Sequence, residues 1–190
     1  CDLERPGRPC IERNRKVVAP PSKAQAQSSD RVVAFTDGAF NHGFAGAGVH
    51  FRNGTFPDIS EGLPPSDFHT ALRAELHAAI LALSRAAPHP TRLLTDCSSV
   101  IQGLERVQGL STLELSRTRN GDKWLILREL CHLSEVEWVK VTAHRGIPGN
   151  ELADALAKKA MWREVGRRSE PPDKIRSIGF FGCPNPGVVY

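Results

Sequence analysis

Four acidic residues of this chain sit among apolar neighbours: Asp37 in Val-Val-Ala-Phe-Thr-Asp37-Gly, Glu75 in Leu-Arg-Ala-Glu75-Leu-His-Ala, Asp96 in Leu-Leu-Thr-Asp96-Cys-Ser, and Asp154 in Asn-Glu-Leu-Ala-Asp154-Ala-Leu. A carboxylate is rarely buried without a cation or a partner, because taking its charge out of water is costly. Four of them converging would repel one another, and divalent metal is what holds such a set together. Two ions in one site activate a water and stabilise a leaving oxygen, so the set reads as a two-metal phosphodiester-hydrolysing centre. Each residue also has a plainer reading. Asp37-Gly38 is a turn dipeptide, Asp96 precedes Ser98 like a helix cap, and Asp154 suits the first turns of a helix.

The elements that must position these residues follow from periodicity. Arg31–Thr36 is a β-branched and aromatic run ending at Asp37-Gly38, which predicts a strand and a turn. Ala45–Phe51 and Gly54–Ile59 predict two more strands, joined through Arg52-Asn53-Gly54 with its hairpin dipeptide. A helix is predicted from Phe68 to Ala87, with Leu72, Leu76, Ala79, Ile80 and Leu83 on one face and Pro88-His-Pro90 stopping it. Arg92–Thr95 is a buried strand, Ser98–Val107 a short helix, Asp122 a cap for a helix through Leu133, Glu137–Thr142 a strand, and Asn150–Glu164 the last helix. Three strands, a helix, a strand, helices, a strand and a helix predict a mixed α/β domain with crossover helices. Asp37 and Asp96 then project from the carboxyl edge of neighbouring strands, where such sheets take their ligands.

The chain has 190 residues, 40% of them hydrophobic, which suits one folded unit. Residues 1–29, rich in basic, Pro and Ser residues, predict a flexible arm; residues 30–165 form the domain, and residues 166–190 an irregular tail. The formal charge of +4 is compatible with a polyanionic partner without demanding one. Five cysteines show no metal or disulfide spacing, so a reduced intracellular setting is expected, with the compartment unresolved. No apolar run reaches the roughly 18–20 residues of a membrane span. The start at Cys1 rather than Met reads as a fragment or a processed product.

Phe35-Thr-Asp37-Gly38-Ala39, Arg73-Ala-Glu75-Leu, Thr95-Asp96-Cys-Ser and His144-Arg-Gly146-Ile-Pro-Gly-Asn150-Glu151-Leu-Ala-Asp154 occur in an order and at intervals that resemble the type 1 ribonuclease H family, over about Arg31 to Glu164. The resemblance implies an RNase H-like mixed five-stranded sheet, three antiparallel strands and then parallel ones, flanked by helices. It implies endonucleolytic cleavage of the RNA strand of RNA–DNA hybrids with two Mg²⁺ ions, Mn²⁺ being able to substitute. Asp37 and Asp96 would be shared or adjacent ligands, Glu75 would bind one ion and Asp154 the other. His144 would assist proton transfer or product release, its imidazole titrating near neutral pH, unless it is simply an exposed loop residue. Asn150 would orient His144 or the attacking water, or cap the helix. Gly38, Asn41, Thr70, Arg73, Arg117, Arg119 and Asn150 are the candidate substrate contacts, and the protein is expected to be a monomer unless part of a larger one.

Two features depart from the family pattern. Ala71 and Leu72 stand where the family usually has an amide for sensing the 2′-hydroxyl. The basic protrusion is reduced to the segment from Gly109 to Trp124, with Arg117, Arg119 and Lys123 as its cations. Trp124 and Trp138 read as core. These departures keep two alternatives open: a catalytically weak nucleic-acid-binding domain of the same fold, and a retroelement-derived nuclease of relaxed specificity.

Overall fold

The run from Val32 forms strand β1 (Val32–Asn41), which turns through His42 and Gly43 into β2 (Phe44–Phe51). Both turn residues have positive φ, 44° and 82°, as a two-residue hairpin requires. β3 (Ile59–Leu63) pairs antiparallel with β2. Helix α1 (Ala71–Ala86) crosses back to β4 (Thr91–Thr95), followed by α2 (Ser98–Val107), α3 (Thr112–Ser116), α4 (Gly121–Leu133), β5 (Val136–Lys140) and α5 (Pro148–Ser169). The computed structural model describes residues 31–64, 68–143 and 145–169.

The sheet order is β3-β2-β1-β4-β5. The β1–β2 and β2–β3 pairs are antiparallel, while β1–β4 and β4–β5 are parallel. This is the expected mixed five-stranded sheet. Its two faces carry different helices. Ala45 and Ala47 of β2 pack on Ala74 and Ala78 of α1, whereas Ala39 and Phe44 pack on Ala157 and Met161 of α5. The main core lies under α1, α2 and α4, with Phe51, Leu76, Leu83, Leu93, Leu115 and Leu127 fully buried. Trp124 belongs to that core and Trp138 packs against it, as their sequence context predicts.

Glycine sets how closely the helices approach. A Cβ on Gly38 would stand 2.3 Å from the backbone N of Glu75, so α1 rests directly on β1 at that point. On the other face, a Cβ on Gly48 would stand 2.1 Å from the carbonyl O of Ala153, which seats α5 on β2. Side chains at these positions would hold both helices away from the sheet.

Four elements differ from expectation. The third strand begins at Ile59 rather than Gly54. Asn53 and Gly54 do turn, both with positive φ, but Pro57 has no N–H to pair and the Asp58 carboxylate accepts from Phe51 N at 3.1 Å, so pairing resumes only afterwards. β1 does not stop at Asp37, because β2 continues to pair with it out to Asn41 opposite Phe44. Helix α3 occupies the expected protrusion loop, nucleated by a capping box between Ser111 and Glu114. Helix α5 continues through Gly166 to Ser169, into the segment read as tail, with Arg167 donating to Glu164 at 2.7 Å one turn back. The arm at residues 1–29 and the tail beyond Ser169 lie outside the described residues.

Candidate metal centre and active site

The last parallel pair between β1 and β4 is Thr36 with Thr95. Beyond it β1 runs on while β4 ends, and the residue that follows each of the pair is an aspartate, Asp37 and Asp96. The contact of Gly38 with α1 brings Glu75 to the same notch, 8% exposed. Oxygens of Asp37, Glu75 and Asp96 lie within 4.8 Å of one another. Asp154 is not part of that cluster of three. It projects from α5 into the same open cleft, which Asp37, Gly38, Phe40, Asp96, Ala143 and Lys158 also line. Asp154 reaches Asp37, whose protonated carboxyl donates to it.

Burial and mutual repulsion dominate the electrostatics. Desolvation, then the charges of Asp96 and Asp154, push the Asp37 carboxyl up to about 7, against which the Gly38 N–H works as a donor. Desolvation, then Asp37 and Asp96, push Glu75 up to about 9, with the Gly38 N–H and the Lys140 charge opposing. The Oε2 atom of Glu75 is buried and has no hydrogen-bond partner. Three hard oxygen donors within reach of one point, one with an orphaned oxygen and two whose negative charge the surroundings disfavour, fit a hard divalent cation that would neutralise them.

The surrounding residues orient this cluster. Asn150, buried in the first turn of α5, donates from Nδ2 to Asp96 Oδ2 at 3.0 Å. As the third residue of α5 it lies past the cap position, and its side chain bonds Asp96 instead. Lys140, at the end of β5, donates from Nζ to the carbonyls of Asp96 and Val141, tying the loop after β4 to β5. Lys158 Nζ donates to Asp154 Oδ2 at 2.7 Å.

A measurable consequence follows in the absence of metal. Asp37 and Glu75 hold their protons more tightly folded than unfolded, so the folded state binds more protons between about pH 4 and 9. Their favourable contribution is complete at low pH and is lost as pH rises through the folded values. Thermal unfolding in EDTA should therefore show stability falling by at least about 2 kcal/mol from pH 5.5 to 8.5, roughly 5–10 °C in Tm. Millimolar Mg²⁺ should restore most of it. A pH-independent Tm in EDTA would show that the two carboxyls are not buried together.

The RNase H family model matches residues 29–162. The ribonuclease H of Stutzerimonas stutzeri strain A1501 is 36% identical over 144 residues, covering 70% of this chain and 93% of that one. That of Anaplasma marginale is 35% identical, over 71% of this chain and 93% of the relative. The chain belongs to the RNase H family. Its activity class is that of a hydrolase, a ribonuclease. Solved structures agree in fold: the N-terminal RNase H domain of a Mycobacterium tuberculosis protein superposes with a TM-score of 0.59 at 19% identity, over 74% of this chain and all of that domain. RNase H1 of Halobacterium salinarum gives a TM-score of 0.52 at 26% identity, over 70% of this chain and 98% of its own.

The remaining candidate residues of this RNase H domain are dispersed. Thr70 is the N-cap of α1, accepting from Arg73 N at 3.2 Å, and lines a second cleft with Phe68, His69, Arg73, Arg119, Asn120 and Asp122. Arg73 is not free: it forms a two-pronged pair with Asp122 at 2.8 and 2.6 Å and also donates to Asn120. Arg117 is exposed at the C-cap of α3, and Asn41 is exposed at the β1–β2 hairpin. Lys123, expected at a phosphate, instead donates to His77 Nδ1 at 3.1 Å. His144 lies outside the described residues. Sequence reasoning missed Asn120, whose Nδ2 is buried without a partner in the second cleft, and Lys158. The signals were present in an Asn-Gly dipeptide and in the helical i,i+4 spacing of Asp154 and Lys158.

Proposed function

We propose that this protein cleaves the RNA strand of RNA–DNA hybrids by two-metal phosphodiester hydrolysis, and the observation that carries the reading is the carboxylate cluster, with Asp37 and Glu75 buried, Asp96 half-buried and their oxygens within 4.8 Å. Asp37, Glu75 and Asp96 would hold one Mg²⁺, and Asp37 with Asp154 a second, Mn²⁺ being a substitute. When bound, the ions supply a lowered water pKa and charge stabilisation at the scissile phosphate. The chain's own residues do the rest. Asn150 keeps Asp96 aimed into the cleft, the Gly38 N–H favours the ionised forms of Asp37 and Glu75, and Lys140 anchors the loop that carries Asp96. His144 is assigned proton transfer or product release.

The second cleft is the proposed seat of a backbone phosphate of the hybrid. Thr70 at a helix start, Arg119, and the unpartnered Nδ2 of Asn120 offer donors there, with Arg73 held in place by Asp122. The relatives' name, ribonuclease H, supports the hybrid as substrate. Gly38, Asn41 and Arg117 extend the proposed contact surface along the hybrid. Since Ala71 and Leu72 carry no polar group for a 2′-hydroxyl, discrimination against duplex DNA is expected to be looser than a site with an amide there would give.

The test is cleavage of end-labelled hybrid, RNA duplex and DNA duplex by the full chain in Mg²⁺. Cuts in the RNA strand of the hybrid that vanish in EDTA are expected. Intact hybrid at every protein and metal concentration, from folded protein that still retards it in a gel, would replace this reading with that of a binding domain.

A further inference from the structure

The carboxylates of the cleft are not equivalent in what neutralises them. Asp37, Glu75 and Asp96 face one another with the Glu75 Oε2 orphaned, and Lys140, the basic residue on that side, has its ammonium on the backbone carbonyls of Asp96 and Val141. Asp154 is different. Its Oδ2 accepts from Lys158 Nζ at 2.7 Å, one helical turn away, and that ammonium lines the same cleft as Asp37 and Asp96.

Resting on the two-metal reading above, we propose that Lys158 is a tethered counter-cation of the second metal site, so that the two sites fill in a fixed order. Among the described residues no ammonium or guanidinium is bonded to the side chains of the three clustered carboxylates, and that cluster takes the first ion. The second ion must share Asp154 with an ammonium already hydrogen-bonded to it. It binds only as that ammonium swings out, which a half-exposed lysine on a helix surface can do without disturbing the fold. Lys158 thereby sets the gap between the two affinities. At sub-saturating metal it keeps the protein in a one-ion state, in which Asp154 stays paired with the Lys158 ammonium.

The consequence is read by calorimetric titration of the 190-residue chain with Mn²⁺ alone, for wild type, Lys158→Met, Lys158→Arg and Lys159→Met. Removing an exposed ion pair and a nearby positive charge should tighten the second dissociation constant by roughly five- to tenfold in Lys158→Met, and the first by clearly less, since the ammonium reaches that site only through its charge on Asp37. Lys158→Arg, which keeps the charge, should stay near wild type. Lys159→Met, which removes the same net charge from the exposed neighbouring position, should also do so. An unchanged second constant in Lys158→Met overturns the proposal, as do equal shifts of both constants or an equal effect from Lys159→Met. If wild type and Asp37→Asn alike bind no Mn²⁺, the two-metal reading falls and this proposal falls with it. If wild type binds both ions and Lys158→Met is unaltered, only this proposal falls.

Discussion

Asp37→Asn is expected to lower hybrid cleavage by roughly 10³-fold or more while making the metal-free protein more stable. The loss of activity follows from position, since Asp37 stands between the Glu75–Asp96 cluster on one side and Asp154 on the other. No neighbour can replace it. The gain in stability follows from the same crowding. Asp37 is buried, and its ionised form is disfavoured by desolvation and by two adjacent carboxylates. An amide of the same shape has no charge to bury and can donate to Asp154. In EDTA at pH 8 the variant should therefore resist denaturant by about 1–2 kcal/mol more than wild type, against the usual direction for a change at a buried position. Single-turnover cleavage and urea unfolding measure the two halves. Residual cleavage above a tenth of wild type, or a loss of stability in EDTA, would contradict the geometry of the centre.

Gly38→Ala should damage both stability and activity. The added Cβ would lie 2.3 Å from Glu75 N, 2.6 Å from Ala74 C and 2.9 Å from the Ala74 Cβ, and two of those atoms are helix backbone that cannot rotate aside. Helix α1 must lift from the sheet, at a cost of about 3 kcal/mol for overpacking. Glu75 moves with the helix, and a displacement near 1 Å at a reacting centre lowers the rate by about 10²-fold. Gly54→Ala is the matched control. Its φ is +64°, with nothing within 4 Å of the added carbon, so it should cost only about 1 kcal/mol of backbone strain and leave cleavage intact. Crystallography or amide exchange across α1 in the two variants separates helix displacement from general destabilisation. Equal loss of activity in both would rule out close packing as the role of Gly38.

The carboxylates and most elements were legible because each rests on a local signal. Asp37 and Asp96 follow apolar runs that become the paired strands, and Ser98–Val107 matches α2 residue for residue. What escaped was set by partners distant in sequence. Arg73 reads as a free substrate contact until Asp122, on another helix, is seen to hold it. Lys123 reads as a free phosphate contact until His77 takes it up. The third strand was misplaced because a hairpin dipeptide reports where the chain turns and not where pairing resumes. Helix α3 was overlooked although Ser111 and Glu114 spell a capping box, since five residues are too few for any periodicity to show.

The two ends of the carboxylate set, Asp37 and Asp154, are 117 positions apart (154 − 37). The last of the four enters on a helix that docks through the glycines of β2, near the far end of the domain. During synthesis the earlier acids emerge long before it, and a chain halted short of α5 lacks Asp154 altogether. The late arrival of this helix means that the full set of four carboxylates exists only in the completed fold.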